Sequence, residues 1–148
     1  MGSFGADDCV RRRTVLFVDR DPDARFNYQS MATAEGFGVE LAADVRQAIV
    51  LANLLLPDAA VVGVRSHARE AIELVRRLRE NRRTRRIPIV VLAREDEARG
   101  MAVRERGVEV HLLTPPADRY LYRFLRILVQ SHDRRSRVRK ASVTLAGE

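Results

Sequence analysis

The stretch Thr14-Val15-Leu16-Phe17-Val18-Asp19-Arg20-Asp21-Pro22-Asp23 places a short, almost unbroken apolar run directly before an acidic turn. A run of that kind suits a strand covered on both faces of a parallel sheet, where neither side meets water. Asp21-Pro22-Asp23 then reads as a turn and a helix start, since proline is tolerated in a first helical turn and Asp23 can cap it. Phe26, Met31 and the alanines follow at loosely helical spacing until Gly36 or Gly38 stops the helix.

The same alternation repeats along the chain. Val39 to Ala42 reads as a weak second strand, Val45 to Leu55 as a helix that Pro57 ends, and Ala59 to Val64 as a third strand. Arg69 to Arg79 carries Ile72, Val75 and Leu78 on one face with Leu74 beside them, an amphipathic helix. Ile89 to Leu92 is the fourth strand, Glu95 to Arg106 a polar helix closed by Gly107, and Val108 to Leu113 the fifth strand. Asp118 to Gln130 closes the series as a helix whose apolar stripe is Leu121, Phe124, Leu125, Leu128 and Val129. Strands alternating with helices require crossover connections, so the expected class is α/β: a doubly wound, five-stranded parallel sheet with five helices.

Composition bounds the function. With 148 residues the chain holds one well-buried domain, and 46% hydrophobic content excludes a wholly disordered one. The expected division is a flexible extension over 1–13, the domain over 14–130 and a basic extension or linker over 131–148. Apolar runs such as Ile49 to Leu56 are too short to span a bilayer, so no membrane partner is expected. No secretory signal is visible, and Ala6 breaks a myristoylation pattern. Cys9 is the only cysteine, which rules out an intrachain disulfide and suits a cytoplasmic location. The net charge of +7 divides into +1 over 1–13, +3 over 14–130 and +3 over 131–148. Nearly all basic residues are arginine, Lys140 being the one lysine, so a coding bias discounts charge as a sign of nucleic acid. No aromatic residues interleave with the charges in the way that stacks bases.

Several of these segments together resemble the receiver domain of bacterial response regulators, the CheY-like family. Val15 to Arg25 is similar to its first strand and acidic loop, Ala71 to Arg79 to its third helix, and Arg83 to Leu92 to its fourth strand with the lead-in. The likeness runs over about residues 14 to 130. It implies a flavodoxin-like strand order, 2-1-3-4-5, with a site at the carboxyl ends of the strands. It also implies phosphoryl transfer to an aspartate, which needs a carboxylate nucleophile, a magnesium ion held by hard oxygen ligands, and donors for the phosphoryl oxygens.

Residue by residue, that chemistry is missing. The family's acidic pair falls on Asp19 and Arg20, so one carboxylate remains and a guanidinium replaces the other. The phosphoacceptor position is Gly63, the hydroxyl position closing strand four is Ala93, and the lysine position before the proline is Thr114. Pro115 is retained, and a cis Thr114–Pro115 bond is expected from the resemblance. Asp58 cannot stand in for the acceptor, because five residues of strand put it about 16 Å from Gly63, at the opposite end. Glu70 is expected to cap a helix or carry surface charge. Arg20, Arg65 and Arg94 are expected to make the pocket neutral or cationic, with Arg20 paired to a neighbouring carboxylate and filling it.

A degenerate pseudo-receiver is therefore expected: no enzyme, no metal and no cofactor, but a protein-interaction module in bacterial two-component signalling or localisation. Its partner is expected to be a protein or a downstream effector domain. The family's usual contact face would lie on the 95–106 helix, the fifth strand and the last helix, where His111, Tyr120, Tyr122, Arg123, Arg126 and Ile127 are candidates for an effector contact or a homodimer. His111 falls at the family's aromatic switch position. The alternative is a regulatory module that binds nucleic acid or a nucleotide through the basic run Arg134 to Lys140, as the front part of a longer receiver–effector protein. Arg135 to Arg139 weakly resembles the start of a PilZ motif, whose second half is absent.

Overall fold

The computed structural model describes residues 12–63, 68–93, 110–113 and 120–131. A five-stranded parallel sheet of order 2-1-3-4-5 runs through the domain. Its strands are β1 (Thr14–Val18), β2 (Gly38–Ala42), β3 (Ala59–Gly63), β4 (Ile89–Leu92) and β5 (Val110–Leu113). Four helices are described: α1 (Pro22–Ala34), α2 (Val45–Leu55), α3 (Ala68–Glu80) and a carboxy-terminal helix over 120–131. The expected helix over 95–106 and the expected cis Thr114–Pro115 bond lie outside the described residues, as do residues 1–11 and 132–148.

Burial explains the apolar runs. Val15, Leu16, Phe17 and Val18 of β1, and Ala59, Ala60, Val61 and Val62 of β3, are all buried, because helices cover both faces of these strands. Alternate residues divide between two cores. Leu16, Val18, Ala60 and Val62 pack with α2 and α3, whereas Val15, Phe17, Ala59 and Val61 pack with α1 and the carboxy-terminal helix. Each fully buried side chain of this size contributes about 1.5–3 kcal/mol relative to exposure.

The inner face of α1 is made of small residues and one ring. Phe26 is 73% exposed and Met31 37%, while Ala24, Tyr28 and Ala32, spaced four apart, face the sheet. Two alanines bring α1 close to β1 and leave room for one large ring, Tyr28, which stacks on Phe17 at 4.9 Å between centroids. The cap of α1 also moves by two residues: Asp21 accepts a hydrogen bond from Asp23 N at 3.0 Å, and Pro22 takes the first helical position.

Asp58 stands at the amino end of the sheet, opposite the strand ends that carry Gly63. Its carboxylate accepts Thr14 N at 2.9 Å, and its own N donates to Thr14 O at 2.8 Å. Arg13 approaches the same carboxylate at 3.8 Å. Nearby, α2 ends in Leu56, which adopts a left-handed conformation with φ of 47° and is 40% exposed. A side chain costs energy there that glycine avoids. Leu56→Gly is expected to stabilise the domain by about 1 kcal/mol, read as an upward Tm shift of about 2–4 °C.

Candidate functional site

A cleft of about 320 Å³ opens at the carboxyl ends of β1 and β3, lined by residues that include Asp19, Arg20, Asp21, Asp44, Gly63 and Glu70. Parallel strands place their following loops at this end, so the cleft is where a ligand of this topology would sit.

Asp19 leaves β1 pointing into the sheet rather than to water and is only 2% exposed. Its Oδ1 accepts Asp21 N at 3.0 Å, and its Oδ2 accepts the phenolic O–H of Tyr28 at 2.9 Å. The backbone on either side is fixed as well: Asp19 N donates to Ala42 O at 3.0 Å, and the Arg25 guanidinium donates to Asp19 O at 2.6 Å and Arg20 O at 3.0 Å. Buried carboxylates require such donors, because desolvation alone would expel them.

Gly63 completes the arrangement by what it lacks. A Cβ at this position would lie 2.2 Å from Asp19 Oδ2, 2.9 Å from its Cγ and 3.2 Å from the Tyr28 hydroxyl. The Asp19 carboxylate thus occupies the volume through which any side chain at position 63 would have to leave the backbone.

Arg20 pairs as the sequence suggests but does not fill the cleft. Its guanidinium donates to both carboxylate oxygens of Glu70 at the start of α3, Nε to Oε2 at 2.8 Å and Nη2 to Oε1. The side chain is 51% exposed, so the pair bridges the rim from the β1 loop to α3. Hydrogen bonding to Glu70 and its negative charge raise the Arg20 pKa further above its usual value. Glu70 is therefore a partner of Arg20 in the first turn of α3. Asp44 caps α2 by accepting Gln47 N at 2.8 Å.

The described lining holds the carboxylates of Asp19, Asp21, Asp44 and Glu70 against the single guanidinium of Arg20, so the described part of the lining is acidic. Arg65 and Arg94 lie outside the described residues. Among the described residues no group of three or more acidic, histidine or cysteine side chains is placed to hold a metal ion. Ala93 is 2% exposed at the end of β4 and brings no hydroxyl. Thr114 and Pro115 lie outside the described residues.

On the candidate contact face, Tyr122 is corrected to a core residue. It is 4% exposed and packs beside Phe17, with ring centroids 6.5 Å apart. Tyr120 and Ile127 are 66% and 57% exposed, and Arg123 is exposed. Arg126 reaches across to the end of α1, where it donates to Glu35 O at 2.9 Å and Glu35 Oε2 at 2.5 Å. His111 sits in β5 opposite Val90, and its side chain is outside the described set. Tyr28 was missed from the sequence; its one signal is the four-residue spacing from Ala24 and Ala32.

No protein-family model matches the chain. The response regulator MprA of Mycolicibacterium vanbaalenii is 32% identical over 117 residues, covering 78% of this chain and 50% of that protein. The chain thus spans about half the length of this curated relative. A putative response regulator of Chloroflexus aurantiacus superposes with a TM-score of 0.66 at 27% identity, over 80% of this chain and 98% of that one. The chain carries a response-regulator receiver domain. The receiver domain of a Pseudomonas aeruginosa sensor histidine kinase, solved with magnesium in its active-site cleft, shares the fold at a TM-score of 0.70 and 24% identity, over 81% of this chain and 99% of that one. In the receiver described here Asp19 is buried and accepts the Tyr28 hydroxyl.

The close approach at Gly63 yields a quantitative expectation. Gly63→Ala should destabilise the receiver by about 1–3 kcal/mol, the usual range for overpacking, measured by urea denaturation. In the Asp19→Ala background the same substitution should cost much less, giving a coupling of at least about 0.5 kcal/mol in a double-mutant cycle.

Proposed function

We infer that this receiver works without accepting phosphate, as a non-enzymatic interaction module in bacterial two-component signalling. The observation that carries the reading is the occupied space at position 63, where a Cβ would stand 2.2 Å from Asp19 Oδ2. Phosphoryl transfer needs a nucleophile with a free trajectory, a metal to neutralise developing charge, and donors for the phosphoryl oxygens. Gly63 supplies no nucleophile. Arg20 places a permanent cation, paired with Glu70, where the family holds an acidic residue, and Ala93 supplies no donor.

With that chemistry removed, the useful output of the domain is a surface held in one arrangement. The Asp19–Tyr28 bond ties β1 to α1, and the Arg20–Glu70 pair ties the β1 loop to α3. The partner is a protein or an effector segment, met on the exposed side of the carboxy-terminal helix, where Tyr120, Arg123 and Ile127 remain from the expected set. Tyrosine and arginine are favoured anchors of such contacts. A second copy of the chain is one occupant this face would accept. Cytoplasmic signalling is the setting proposed for it.

Incubation with acetyl phosphate and magnesium, followed by intact-mass measurement, is expected to give no phosphoryl adduct; an adduct on Asp19 or elsewhere in the domain overturns the reading. If the exposed face of the last helix mediates self-association, Ile127→Asp should abolish concentration-dependent dimerisation in sedimentation velocity and leave Tm within about 2 °C of the parent, as expected for an exposed site.

A further inference from the structure

Two surface features that the cleft does not use meet at the amino end of the sheet. The first is charge. Residues 76–86 hold seven of the chain's 26 arginines, against one glutamate, Glu80. Six of the seven are exposed, Arg79 being half-buried. Arg77 pairs with Glu73 at 3.5 Å, Arg79 donates to Arg85 O, and Arg83 donates to Asn53 O at 3.1 Å. No carboxylate among the described residues pairs with Arg76, Arg82, Arg85 or Arg86. A coding bias explains why the basic residue is arginine rather than lysine. It does not explain why so many crowd the end of α3 and the loop after it, where like charges repel.

The second feature is apolar. Val50 and Leu54 lie one turn apart on the outer side of α2, 59% and 72% exposed, and Leu55 and Leu56 follow at 39% and 40%. The two features adjoin, because Asn81 Nδ2 donates to Asn53 Oδ1 at 2.8 Å while Arg83 reaches the carbonyl of the same Asn53. The exposed leucines therefore adjoin the arginine-rich loop. A nucleic acid would use the charge and leave the leucines in water. An anionic bilayer uses both, since guanidinium groups bind headgroup phosphates while leucines enter the interfacial layer.

We propose that this end of the domain is a peripheral docking surface for membranes rich in anionic phospholipid. No described helix is long and apolar enough to cross a bilayer, so the contact is interfacial. It is separate from the cleft and does not depend on whether the cleft accepts phosphate. Apolar runs too short to span a bilayer argue against a transmembrane segment, whereas an interfacial contact needs no such span.

The test is sedimentation of the full chain with phosphatidylcholine vesicles, with and without phosphatidylglycerol. Binding is expected only to the mixed vesicles and should weaken as salt rises. The triple variant Arg82→Gln, Arg85→Gln, Arg86→Gln should bind more than tenfold more weakly, as each basic residue near an anionic surface counts for about fivefold. Leu54→Ser should weaken binding several-fold with Tm unchanged. Failure to bind mixed vesicles overturns the proposal, as does full binding by the triple variant. So does binding lost only when residues 134–140 are removed, which would assign it to the basic extension. Tighter binding to duplex DNA that Leu54→Ser leaves unaltered would overturn it in favour of nucleic acid.

Discussion

The hydrogen bond from Tyr28 to the buried Asp19 carboxylate is the contact on which the rest of the site depends. A carboxylate withdrawn from water costs several kcal/mol unless donors replace the lost hydration. Tyr28 and Asp21 N provide donors here, and both come from the segment immediately after β1. Because Tyr28 also stacks on Phe17, the bond fixes the rotation of α1 over the sheet. The carboxylate then lies over Gly63, and only a residue without Cβ leaves room for it. The absence of a side chain at position 63 and the burial of Asp19 are thus two sides of one arrangement. Restoring a side chain at 63 would require Asp19 to move, which in turn would leave the Tyr28 hydroxyl without that acceptor in a buried place.

Much of the fold was legible because strands buried on both faces advertise themselves. The runs Val15 to Val18, Ala59 to Val62 and Ile89 to Val91 are short, apolar and bounded by turn residues, and all three are buried. The limits of α2 could be read from Pro57 and the helical spacing before it. Sidedness was harder. Helical spacing marks the extent of α1 but not its inner face: Phe26 and Met31 turn outward, and two alanines face the sheet, where close approach contributes more than side-chain size. Tyr122 was read as outward because tyrosine favours interfaces, but its ring stands beside Phe17 in the core formed with Leu121 and Leu125. In each case the period of the helix was clear and its phase was not.

The site was legible as a set of losses and illegible as a geometry. By identity alone, Gly63, Ala93 and Arg20 differ from what the receiver resemblance implies at those positions. Their replacement could not be read, since the bond between Asp19 and Tyr28 spans nine residues and the pair between Arg20 and Glu70 spans fifty. Charge alone suggested that Arg20 would enter the vacated space. A guanidinium is costly to desolvate, and an exposed carboxylate at Glu70 offers it two oxygens at the rim, so the arginine stays out and the smaller Asp19 goes in.

The two ends of the sheet consequently carry different constraints. At the carboxyl end, residues are tied in pairs and the described part of the cleft lining is acidic. At the amino end, Asp58 is consumed in holding Thr14, and the loop before β4 presents arginines in excess of any described carboxylate. A strongly basic loop beside exposed leucines is a poor solution for stability, as the charges repel one another and the leucines remain in water. Nothing in the packing of β3 against β4 calls for either, since that contact is made by Ala60, Val62, Ile89 and Val91 behind them. Residues that the fold does not require, concentrated where they weaken it, are most simply explained by something they bind.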